Sequence, residues 1–100
     1  MLRNSLTGKQ KSFLRGLGQK LEPVVMVGKE GITPTVVQSA REAIKKRELI
    51  KVRVLQNCMD EPEDAITVLA ERADVNVVQV IGRNGLLYKR NFEKTKIELP

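Results

Sequence analysis

The spacing of apolar residues switches repeatedly between a helical and an alternating period, and prolines and glycines mark several of the switches. This constrains the fold more than any single motif does, because each period commits its segment to one element type. Phe13, Leu14, Leu17 and Leu21 fall on one helical arc. Thr7 and Gln10 ahead of them have capping-box spacing, so a helix is expected over 7–21. Lys11 and Arg15 project from the side opposite that arc, while Lys9 and Lys20 flank its edge. Gly16 and Gly18 count against the helix, at roughly 1 kcal/mol each relative to Ala. Glu22-Pro23 ends it, since a residue before proline avoids the α region.

Pro23–Val27 is short, apolar and β-branched and reads as a buried strand. Thr33-Pro34 opens a second helix whose stripe is Val36, Val37, Ala40, Ala43 and Ile44, and which ends near Lys45-Lys46-Arg47. Leu49–Leu55 alternates, with Ile50, Val52 and Val54 on one face and Lys51 and Arg53 on the other. A loop over 57–60 leads to a third helix over 61–73, with acids and Pro62 in its first turn. A strand over 75–81, a turn at Gly82–Gly85 with Asn84-Gly85 as a type I′ pair, and a return strand over 86–90 complete the pattern. Lys96–Leu99 is expected to add a short extended piece. The order α-β-α-β-α-β-β predicts an α/β fold. A four-stranded sheet, partly parallel through right-handed crossovers, is made mixed by the last hairpin and carries helices packed on it. A chain of 100 residues hides roughly 65% of its surface on folding. That suffices for one core, so residues 1–100 are expected to form a single domain.

Composition narrows the function. There is no histidine and one cysteine, Cys58. That excludes Ser-His, Cys-His and His-metal schemes and any internal disulfide. No enzyme activity, metal, cofactor or small-molecule substrate is expected. Asp60, Glu61, Glu63 and Asp64 suit the dipole of a helix start better than a calcium loop. The longest apolar run is Val24–Val27, far short of the ~20 residues of a membrane span. Residues 1–20 hold no apolar leader core, so a cytoplasmic protein is expected. The net charge is +6. Residues 1–50 hold ten basic and four acidic side chains, and residues 51–100 hold eight of each. An excess confined to one half points to a polyanion, nucleic acid before membrane.

Gly28-Lys29-Glu30-Gly31 lies between a strand and a helix start. Two glycines let a ligand approach the backbone, the helix start offers free N–H groups, and Lys29 adds a charge. Such loops clamp RNA backbone in KH domains, and the same residues would also make an ordinary βα turn. Lys9, Lys11, Arg15 and Lys20 form a basic set nearly free of acids. Lys45, Lys46, Arg47, Lys51 and Arg53 form another, in which Glu42 and Glu48 interleave, so ion pairing is expected there. Phe13 is expected in the core. Tyr88 beside Lys89-Arg90 is placed to stack on a base. Gly82-Arg83-Asn84-Gly85 reads as a hairpin whose Arg83 is free to touch a polyanion.

Leu6–Lys11, Pro23–Gly31, Glu48–Val52, Val78–Gly82 and Leu87–Arg90, in this order and with the Ile97–Pro100 ending, resemble the YhbY family. These are stand-alone bacterial CRM-domain proteins (chloroplast RNA splicing and ribosome maturation). The resemblance implies an RNA-binding module with a topology like the C-terminal domain of translation initiation factor three. It also implies association with large-subunit ribosomal precursors. It places RNA contacts at Gly28, Lys29, Glu30 and Gly31, at Lys9, Lys11, Arg15 and Lys20, and at Tyr88, Lys89 and Arg90. Glu30 departs from the small or basic residues usual there, and Lys89 stands where Arg is frequent. The competing expectation is a protein-interaction module that rides on ribosomes or a translation factor without touching RNA.

Overall fold

A computed structural model describes residues 6–100; the first five residues of the expected 1–100 unit, and of the segment searched for a leader, lie outside it. The elements are α1 (Gly8–Gly18), β1 (Pro23–Val27), α2 (Pro34–Arg47), β2 (Leu49–Val54), α3 (Pro62–Ala73), β3 (Asn76–Ile81) and β4 (Asn84–Tyr88). The sheet order is β1-β2-β4-β3. β1 runs parallel to β2, and β4 runs antiparallel to both β2 and β3. The expected three-helix, four-stranded mixed α/β architecture is what forms.

The alternation of β2 assigns the two faces of the sheet. Ile50, Val52 and Val54 point to one side, where α2 and α3 seal a cluster with Val25, Val27, Ala40, Ile44, Ile66, Leu69 and Leu87. Leu49 points to the other side, into a smaller cluster of Leu14, Val78, Leu86 and Tyr88, flanked by Leu6, Leu21, Ile97 and Leu99. The Thr33 hydroxyl accepts from the Val36 N–H at 3.2 Å, so α2 starts where its sequence predicts. α3 starts on Pro62 without a side-chain cap and ends at Asp74 in the left-handed region.

Four expectations need correction. The Thr7–Gln10 capping box forms, but α1 stops at Gly18 instead of running to Leu21. Its buried residues are Leu14 and Gly18, while Phe13 and Leu17 stand 40% and 41% exposed. The cause is close approach. A Cβ on Gly18 would lie 2.4 Å from Leu86 Cδ1, so the helix seats its smallest residue on the sheet and turns the Phe13 side outward. The third correction is the hairpin, where Ile81 pairs with Asn84 and leaves Gly82-Arg83 as the two-residue loop. Only Gly82 there has a positive φ (57°), whereas type I′ needs it at both central residues. Asn84-Gly85 belongs to β4, and Gly85 is small because a Cβ would meet Ile66 at 2.7 Å. Lastly, among the described residues Lys96–Leu99 pairs with no strand.

Candidate nucleic-acid interface

The side of the sheet that carries α1 is only partly covered, and the cations gather on the open part. Lys51 and Arg53 follow Leu49 on that face by strand periodicity. Arg15 of α1 joins Lys51 across an open groove that Gln79, Ile81 and Asn84 also line. Arg53 pairs in register with Met26, two residues before Gly28. A basic strip therefore runs from Arg15 through Lys51 to Arg53, toward the loop that carries Lys29. Exposed Val24 and Met26 accompany it on the edge strand β1. Among the described residues, none of these four cations lies within ion-pair distance of a carboxylate.

The glycine loop is a tight turn. The Gly31 N–H donates to the Gly28 carbonyl at 3.0 Å, and Gly31 takes φ 71°, where a side chain would be strained. Lys29 and Glu30 stand exposed at the tip. The position of a Cβ on Gly31 lies 3.4 Å from an Asp60 carboxylate oxygen. Negative charge therefore borders the loop on that side, and an anion is favoured to approach from the sheet side, past Arg53 and Lys29. The helix start behind the loop offers less than expected. Pro34 has no N–H, Val36 N–H is taken by the Thr33 hydroxyl, and Val37 N–H by the Thr33 carbonyl. The charge of Lys29, more than a nest of amides, is what the loop presents.

The remaining candidates divide between two ends of the molecule. Lys9 and Arg15 are exposed on α1, Lys20 is exposed in the turn that follows it, and Lys11 is half-buried. Lys89 and Arg90 leave β4 where Tyr88 pairs with Leu49, at the start of β2, whereas the glycine loop lies beyond its end. Six strand residues separate the two ends by about 20 Å. Lys89 is ion-paired with Asp74 at 3.6 Å. The Tyr88 ring is 2% exposed inside the smaller cluster, so it offers no face for stacking on a base. Burial pushes its phenol above the ordinary tyrosine value, and the Glu48 charge adds to the shift. Arg83 is also committed. Its guanidinium donates to the Val54 and Leu55 carbonyls at 2.8 and 2.6 Å, clamping the hairpin onto the end of β2.

Among the described residues, the ion pairing expected of the second basic set does not form. Glu42 accepts from Gln38, and Glu48 is fully buried with its carboxylate turned to backbone N–H groups. Lys51 and Arg53 were readable as interface residues, because two cations two apart on an alternating strand must share a face. Their grouping with the α2 end hid that signal.

These features define a small α/β module with a cationic half-open sheet face beside a glycine turn. The model of the CRS1/YhbY (CRM) domain matches residues 6–89, and this chain belongs to that family. It is 44% identical over 95 residues to the "Probable RNA-binding protein YqeI" of Bacillus subtilis, covering 95% of this chain and 99% of that protein. An "RNA-binding protein" of Haemophilus influenzae is 38% identical over 96 residues, covering 96% of both chains. Among solved structures, the solution structure of the hypothetical protein SAV1595 from Staphylococcus aureus superposes with a TM-score of 0.80. It is 40% identical, over 96% of this chain and 100% of that one.

Proposed function

We propose that this chain is a non-catalytic RNA-binding protein of the cytoplasm, acting on ribosomal RNA of the large subunit in assembling particles. The observation that carries the reading is the strip of Arg15, Lys51 and Arg53 on one open face, leading to the loop that carries Lys29, with none of the four ion-paired among the described residues. Phosphate oxygens are the ligand such a strip fits, and recognition by RNA shape follows, because base-reading groups on it are few. Gly28 and Gly31 shape the turn, Glu30 stays at its tip, and Lys9, Lys11 and Lys20 widen the positive field. The large-subunit assignment is supported by the CRM-family resemblance, and the relatives' names support RNA as the partner. Residues 1–100 act as one binding unit needing no cofactor.

Sedimentation tests it. Tagged protein from gently lysed cells should migrate with particles at or just below the large subunit at low salt and be stripped at high salt. A signal only at the top of the gradient in both salts would sink the ribosomal assignment.

One observation favours a second reading. Phe13 and Leu17 leave an apolar ridge open on α1, which a protein partner could cover. Salt separates the two. Phosphate contacts give a slope of log affinity on log salt of about −0.7 to −0.9 per contact, and an apolar interface does not.

A further inference from the structure

At the end of the sheet away from the glycine loop, a second surface is assembled that the phosphate strip does not use. Its frame is Glu48. This residue takes φ 65° and ψ −36° where α2 gives way to β2, a positive-φ backbone that is strained for a side chain. Its buried carboxylate accepts from the backbone N–H groups of Asn91 at 2.6 Å, of Ile97 at 2.7 Å and of Lys96 at 2.5 Å. Asn91 ties the same segment further. Its side-chain amide donates to the Lys45 carbonyl at 3.0 Å, and its oxygen accepts from the Glu93 and Lys94 N–H groups. A stretch with no helix or strand is thereby pinned to the end of α2.

What the pinned segment presents is an aromatic ring in a cleft with Lys45, Lys89 and Arg90, which Asp74 and Glu93 also line. Phe92 is 71% exposed, and the Arg90 guanidinium sits 5.6 Å from its ring centroid. Lys45 and Lys46 of α2 face Lys94 and Lys96 of the tail across an adjoining open cleft. Two carboxylates, Glu42 and Glu93, share that cleft with the four lysines, so its net charge stays positive. Exposed rings beside cationic grooves are the working parts of single-strand binders. Every base has a face to stack, and the cations follow the backbone.

We propose that Phe92 is a stacking platform for a base of single-stranded RNA, with Lys45, Lys46, Lys94 and Lys96 holding the neighbouring phosphates. The proposal rests on the RNA reading above and adds a second contact about one strand length from the first. It also gives Glu48 a positioning role, because the carboxylate holds the segment that carries the ring.

The chain has no tryptophan, so Phe92→Trp installs the only indole. Titrated with a decaadenylate RNA at low salt, this variant should lose fluorescence along a curve that matches its independently measured binding. Phe92→Ala should bind about tenfold more weakly, Phe92→Leu should not recover the loss, and Phe92→Trp should bind like the parent. Lys29→Glu combined with Phe92→Trp should bind more weakly yet quench at saturation. Two results would overturn the platform while leaving RNA binding intact: full binding without quenching, or parental affinity in a folded Phe92→Ala protein. If the parent chain binds neither decaadenylate nor structured large-subunit RNA, the RNA reading falls and the platform with it.

Discussion

The two faces of the sheet are cut from the same strands, yet one is closed and the other is half open. Under α2 and α3, β2 contributes Ile50, Val52 and Val54, all buried. On the reverse, the same strand contributes Leu49 beneath α1 and then Lys51 and Arg53 beyond it. One helix cannot cover what two cover. The uncovered half carries charge and apolar side chains from β1 side by side. A period of two thus lets one strand serve stability with one set of residues and recognition with the other. Substitutions on the two faces should accordingly change different observables.

The closed face should show the largest effect. Leu87 is fully buried on β4 between β2 and β3, so Leu87→Ala leaves a cavity costing about 2–5 kcal/mol. The urea midpoint should fall sharply. The salt slope of RNA binding, measured on protein that is still folded, should not move. A changed slope with an unchanged midpoint would break the division of labour between the faces. The open face should do the reverse. Lys51→Glu with Arg53→Glu should leave the melting temperature nearly unchanged, weaken RNA binding and flatten the salt slope by roughly 0.7 per lost contact. Unchanged affinity would remove the strip from the interface. Lys29→Glu is a single exposed charge and should weaken binding less, again without unfolding the domain. Affinity equal to the parent would take the glycine loop out of the site.

The closed face was also the more legible one. α2 and α3 carry full helical stripes with proline at their starts, and their partners in β1 and β2 are continuous or strictly alternating, so local signals agreed with packing. The misreadings cluster on the other side. The phase of α1 was set by Gly18, whose value lies in the Leu86 contact and not in any period. The hairpin turned at Gly82 because Gly85 was needed against Ile66. Glu48 resembled a surface partner for lysines, and its real partners lie 43 to 49 residues further on, in a segment with no period at all. Lys51 and Arg53 show the opposite failure. The strand pattern had already placed them together, and the assumption that nearby charges neutralise one another concealed it.

Tyr88 gives the smallest effect and tests how dry the space beneath α1 is. Its hydroxyl has no hydrogen-bond partner among the described residues, and burial, with the Glu48 charge second, raises its pKa. A raised value in the fold means that the unfolded chain loses the phenolic proton first as pH climbs. The stability held below pH 10 should therefore decline as pH rises through the ordinary tyrosine range toward the folded value. Tyr88 is the only tyrosine and there is no tryptophan, so tyrosinate absorbance reads this one group. In the folded protein it should appear above the pH at which it appears in urea. Tyr88→Phe should abolish the alkaline loss while costing little at neutral pH, because the hydroxyl it removes makes no bond to the described residues. A tyrosinate curve identical in both states would mean that water reaches the phenol, and that α1 covers less of its face than the packing of Leu14 and Gly18 implies.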